Sequence, residues 1–265
     1  MPTPKILHWK KDSKPVVPGQ NSELSFRPNR LPIIKPIGKD VVKVYVWELP
    51  VRIWHWVNAL AILVLMVTGI YIGKPFAAAS IPEEAYYSML MGWVRYIHFF
   101  AAFIFTANSL YRFYWIFVGN RYSSQNIFRL IYWKEMFETV KFYLFMKNKK
   151  PHYVGHNPLA MFSYIVFMGI GSILIIMTGF YLYFEPQPGT FFATLFAWVP
   201  YVFGGDSYTI RSWHHLVAWA FMLFTVLHVY LAWRDDYLER NGTLSSMGTG
   251  YKMEPKKAVG ETNAK

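Results

Sequence analysis

Five histidines lie in or at the ends of strongly apolar stretches: His55, His98, His214, His215 and His228. An ionisable side chain in such a setting is costly and is usually retained for function. A neutral imidazole nitrogen ligates metals, and imidazole also relays protons. The chain has no cysteine, which excludes disulfides, thiolate-held iron–sulfur clusters and haem attached through C-x-x-C-H. No Asp or Glu falls inside the apolar stretches, so a carboxylate-assisted zinc site or a carboxylate–histidine proton relay is poorly served. Haem iron held between pairs of imidazoles suits the inventory best.

The five histidines fall on three of four apolar windows of about 20 residues, the length that crosses a hydrocarbon core. The windows run at about 53–72, 96–118, 159–184 and 213–233. Hydrophobic residues make up 54% of the chain and charged residues only 16%, against roughly 25% charged in soluble domains. The reading is an all-α integral membrane protein, a four-transmembrane-helix bundle enclosing b-type haem. Residues 1–43 form a basic, proline-rich arm without the apolar core of a signal peptide, expected to be flexible; 44–238 hold the helices, and 239–265 form a tail.

The net charge of +12 reads as a topology signal rather than a nucleic-acid footprint. Lys and Arg number ten in residues 1–52, seven in 119–158 and six in 234–265, but one each (Lys74, Arg211) in 73–94 and 185–212. Positive residues collect on the cytoplasmic side. Both termini and the central loop are therefore expected on the cytoplasmic side, with the other two loops facing out.

Orientation gives the histidines depths. His98 and His214 sit near the outer ends of the second and fourth helices; His55 sits near the inner end of the first. His228 lies fourteen residues past His214, about 21 Å deeper at 1.5 Å per residue. Two levels result: an outer pair, His98 with His214, and an inner pair, His55 with His228. At ~100° per residue, His214 and His228 differ by about 40° around the helix, whereas His215 is about 140° from His228. His214 is the expected ligand, with His215 as its alternate. Two haems per chain follow.

Arginine precedes three of these histidines by nearly one turn: Arg52 before His55, Arg95 before His98 and Arg211 before His214; Arg234 follows His228. A guanidinium there pairs with a haem propionate, although arginines also flank membrane helices for other reasons. An internal echo, MVTGIY at 66–71 and IMTGFY at 176–181, reads as close packing at glycine. Quinone is the expected redox partner within lipid. His156 and Asn58 are candidates for its hydrogen bonding or protonation, against a structural role in the G-H-N-P turn for His156.

VRIWHW (51–56), FVGNRYS (117–123), GHNP (155–158) and the fourth-helix segment SWHHLVAWAF resemble the b-type cytochrome subunit of membrane-bound nickel–iron hydrogenases over roughly residues 44–252. That resemblance implies an anchor for hydrogenase small (iron–sulfur) and large subunits on the outer face. It implies no hydrogen-activating or other catalytic residue on this chain, and electron delivery to the quinone pool. Its haem ligands fall on His55, His98, His214 and His228.

Rival readings are the cytochrome b subunit of a formate dehydrogenase or thiosulfate reductase, a stand-alone dihaem quinone or superoxide oxidoreductase, and a haem-free anchor or transporter. The choice of His214 over its neighbour is directly testable. Replacing His215 alone with Ala leaves two haems per chain in an absorption assay, and loss of one haem would reverse the choice.

Overall fold

The computed structural model describes residues 34–37, 40–76, 89–120, 122–123, 125–148 and 152–255. Most of the arm therefore lies outside the described residues. The elements, in chain order, are strands β1 (Ile34–Pro36) and β2 (Val41–Tyr45), helices α1 (Leu49–Gly73), α2 (Leu90–Val118), α3 (Leu130–Tyr143) and α4 (Pro158–Phe184), short helices α5 (Phe191–Phe196) and α6 (Val199–Phe203), helix α7 (Ser207–Glu239), helix α8 (Thr243–Thr249) and strand β3 (Tyr251–Pro255). They form two compact units, one of Leu49–Phe117 and Phe162–Leu238, the other of the remaining segments.

The helical unit holds the apolar windows. α1, α2, α4 and α7 are each long and apolar enough to cross a membrane. α1 shows why the sequence folds this way in lipid. Its buried positions, Val51, Asn58, Ala61, Thr68 and Tyr71, repeat at sevens and threes and form one seam. The opposite face, including Leu60, Leu63 and Val67, is apolar and more than half exposed. Oily residues face outward and the polar Asn58 and Thr68 face inward, because lipid gives apolar groups no reason to hide. Mid-length, Ala61, Phe105, Val217 and Phe221 form a buried apolar layer. Phe105 meets Phe221 edge to face at 6.1 Å between centroids. α4 opens its winding into a π-helical stretch at Ile165–Gly171, the kind of local irregularity that often accompanies a functional site.

The helices outrun their windows. α7 begins at Ser207 because Asp206 caps it, accepting from the Thr209 amide at 2.6 Å. It ends at Glu239, since Arg-Asp-Asp-Tyr-Leu-Glu is helix-compatible although no longer apolar.

The second unit is built on a three-stranded antiparallel sheet, β1-β2-β3. The expected boundaries at 43 and 239 are thus bridged: part of the arm and part of the tail pair as neighbouring strands, with Val42 opposite Glu254 and Val44 opposite Lys252. Gly250 makes the turn into β3 at φ +86°, and a Cβ there would lie 2.7 Å from the Trp47 carbonyl oxygen. That carbon-free space lets the Gly250 carbonyl accept from the amides of Val46 and Trp47 at 2.9 and 3.1 Å. The sequence motifs do structural work in this unit. Asn120 of FVGNRYS donates its side-chain amide to the Val46 carbonyl and its backbone amide to Glu48. Asn157 of GHNP accepts from the Ala160 amide at 2.7 Å and caps α4, whose first residue is Pro158.

Glu254 is fully buried. It is matched by His152 Nε2 at 2.7 Å and by the Asn241 side-chain amide at 3.4 Å. The hydrogen bond to Glu254 holds the His152 imidazole above its ordinary value, with Glu239 adding to this and burial and Lys252 opposing it. A group whose folded value is raised contributes stability at low pH, and that stability is lost as pH rises through the folded value. Protection factors of amides across the β2–β3 pairing, with the intrinsic base catalysis of exchange divided out, are therefore expected to fall as pH rises past the His152 transition. His152→Gln should abolish that dependence; an identical pH profile in the variant would contradict the role of this pair.

Candidate functional site

The site grows from where the seam of each helix puts its histidine. In the helical unit imidazoles from α1, α2 and α7 each meet a side chain of another helix.

His55 and His228 come together, with ring centroids 6.3 Å apart and planes at 57°. One iron between two imidazoles, with metal–nitrogen bonds of ~2 Å and roughly 1.1 Å from nitrogen to ring centre, requires centroids about 6.2 Å apart. The observed spacing fits a metal between the rings. His55 Nδ1 is buried with no hydrogen-bond partner among the described residues, a polar atom whose demand the protein leaves unmet. His228 stacks on Phe224 at 5.6 Å and 13°, and its Nδ1 lies 3.3 Å from the Tyr164 hydroxyl. Tyr164 immediately precedes the π-helical stretch of α4.

His98 and His214 are the other expected pair. Each is held by a different helix through the same device. Thr68 of α1 places its Oγ1 2.8 Å from His98 Nδ1, and Thr178 of α4 places its Oγ1 3.0 Å from His214 Nδ1. The next residue is glycine in both cases. A Cβ on Gly69 would lie 3.4 Å from His98 Cε1, and one on Gly179 only 3.1 Å from His214 Cε1. These glycines make room for imidazoles. His215 sits elsewhere, its Cε1 3.3 Å from the Cβ position of Gly73 on α1. Spacing had marked the histidines; it had not marked Thr68, Thr178 or Tyr164, although the repeated Thr-Gly pair was a visible signal.

The arginines meet protein groups. Arg211 lies 3.8 Å from Glu185, Arg234 lies 3.9 Å from Asp235, and Arg95 sits over the Phe99 ring at 5.7 Å. Arg52 keeps its Nε buried. Asn58 accepts from the Asn108 amide at 3.3 Å, and Asn108 also donates to the Trp54 carbonyl at 3.0 Å. His156, in the other unit, packs its ring on Trp47 at 4.5 Å, and its carbonyl accepts from Gln125 at 2.7 Å. Both quinone candidates thus have structural duties within their own units. No group of three His, Cys, Asp or Glu side chains suited to a bare metal ion occurs among the described residues.

Residues 46–250 match the family described as prokaryotic cytochrome b561. The chain belongs to the prokaryotic cytochrome b561 family. It is 42% identical over 220 residues to the "Probable Ni/Fe-hydrogenase B-type cytochrome subunit" of Cupriavidus necator, covering 81% of this chain and 89% of that protein. It is 41% identical over 222 residues to the corresponding hydrogenase 1 subunit of Escherichia coli K12 (80% and 92% covered), and 41% over 215 residues to that of Azotobacter chroococcum (79% and 88%). As a b-type cytochrome of this family the chain is a multi-pass membrane protein that carries haem b. The cytochrome's matched region contains all four long helices and stops just before β3.

The Asn58–Asn108 bond yields a prediction. Asn58→Leu leaves the Asn108 amide short of an acceptor in a buried seam, a cost of about 1–3 kcal/mol. Thermal unfolding of the cytochrome in detergent should shift downward; an unchanged midpoint would mean the bond carries no weight.

Proposed function

We propose that this cytochrome is the membrane anchor and electron-transfer subunit of a nickel–iron hydrogenase, carrying electrons from its iron–sulfur subunit to the quinone pool. The observation that carries the reading is His55 beside His228 at a separation that fits an intervening metal, supported by the like placement of His98 and His214 against Thr68 and Thr178. The printed names of the relatives supply the hydrogenase as partner.

In this reading His98 and His214 hold one haem, and His55 and His228 hold a second. Haem b bound at each level supplies a one-electron carrier with no atom transfer. The chain's own residues do the rest. The four imidazoles fix two cofactor positions about 21 Å apart along α7, from the 1.5 Å rise per residue. Ala61, Phe105, Val217 and Phe221 keep water and ions out of the interval between them. Arg95 and Arg211 at one end, and Arg52 and Arg234 at the other, are proposed partners for the propionates. Both termini lie on the cytoplasmic side of the inner membrane, where basic residues are concentrated. The hydrogenase small and large subunits sit on the opposite face. Quinone is reduced at the His55/His228 level, with Asn58 and His156 as the side chains to vary there.

The reading is tested in membranes containing the assembled complex. His98→Ala should bring hydrogen-driven quinone reduction to background while hydrogen oxidation with a soluble dye persists. Quinone reduction at the native rate in that variant would overturn the assignment.

A further inference from the structure

The Thr-Gly repeat on α1 and α4 does more than fill space. Each threonine has a single hydroxyl proton, and each has a backbone carbonyl closer than or as close as the histidine. Thr68 Oγ1 lies 2.7 Å from the Val64 carbonyl oxygen, and Thr178 Oγ1 lies 2.8 Å from that of Leu174. This back-bonding to the preceding turn is the usual resting place of a helical threonine proton. With that proton committed, the oxygen faces the imidazole with lone pairs only and must accept from Nδ1–H. Each hydroxyl also has a second carbonyl within reach, that of Leu65 at 3.3 Å for Thr68 and that of Ile175 at 3.2 Å for Thr178, and a carbonyl accepts and never donates. Both constraints put the proton on Nδ1 and leave Nε2 bare.

We propose that Thr68–Gly69 and Thr178–Gly179 are matched positioning elements for the haem at the His98/His214 level, each selecting the tautomer with Nε2 free for iron while its glycine seats the ring. This rests on the reading of His98 and His214 as haem ligands. A hydrogen bond from the distal nitrogen of a metal-bound histidine fixes ring orientation and raises the ligand's basicity. A more basic ligand favours the more positive, oxidised iron, so the two threonines lower the reduction potential at this level. The other level is built differently. His228 meets only a long contact to Tyr164, and His55 Nδ1 has no acceptor among the described residues. The two levels thus differ in ligand strength in the direction that favours electron movement from the His98/His214 level to the His55/His228 level. The two glycines are not equivalent. At 3.4 Å an added methyl on Gly69 makes ordinary contact, whereas at 3.1 Å one on Gly179 forces the His214 ring to give way.

The test uses the purified holo-complex, read by redox titration and by electron paramagnetic resonance of the oxidised haems. Thr68→Val and Thr178→Val keep the shape and remove the acceptor. Each should raise the potential of one haem only and shift its low-spin g-values, and Thr→Ser at the same position should restore both. Gly179→Ala should disturb the same signal more than Gly69→Ala. Valine variants that bind haem with unchanged potential and g-values would overturn the proposal. If the valine variants lose the haem, serine decides: recovery supports the hydroxyl's role, and failure alongside valine overturns it. His98→Ala or His214→Ala retaining both haems would instead refute the ligand assignment beneath it, whatever the threonine variants do.

Discussion

An imidazole carried into hydrocarbon has two nitrogens and no water to satisfy either one. That constraint orders the helical unit. A buried polar group left without a partner costs free energy on the scale of a lost hydrogen bond, so each histidine needs a neighbour for one nitrogen and a use for the other. The neighbours have to come from adjacent helices, because each helix spends its own backbone groups on itself. Thr68 serves His98 and Thr178 serves His214 in this way. The glycines that follow let the rings approach, and the seams of α1 and α4 turn inward because those residues are on them.

The same constraint explains why the polar seam coexists with an oily exterior. Lipid offers no hydrophobic drive for helices to associate. Contacts between the helices include an apolar layer around Phe105 and Phe221, a second apolar cluster around Val199, Phe203 and Ile210, the Asn58–Asn108 bridge and the histidine contacts. A rigid group held by residues from several helices would add cohesion to these contacts. In this account cofactor and fold support each other, and the histidines are structural as well as functional residues.

How much of this was visible in the sequence depended on the range of the interaction. The four helices were legible, since an uncharged window of about 20 residues has few alternatives; their ends were not, because Asp206 and the segment after Trp233 extend α7 through capping and propensity rather than hydropathy. Rise per residue, on helices oriented by their flanking charge, put His55 at the depth of His228, and the structure brings those two rings together. The sheet was hidden for two reasons. Its strands β2 and β3 lie some 200 residues apart in the chain, and the inward positions of β3 are Lys252 and Glu254, which invert the expected alternation. His152 and Asn241 make Glu254 tolerable there, and no local pattern announces such partners. Thr68 and Thr178 were hidden differently: their echo was plain, but a threonine beside a glycine in a membrane helix reads as a small packing residue until its hydroxyl is seen against an imidazole.

The central claim is that four imidazoles at two levels hold two haems. Its most direct test is haem per chain, measured by reduced-minus-oxidised absorption on the purified protein and on the single variants His55→Ala and His214→Ala. The account predicts two haems in the native chain and one in each variant, with the two variants retaining spectroscopically different haems. A single haem in the fully assembled native protein, or the same haem surviving in both variants, would contradict it.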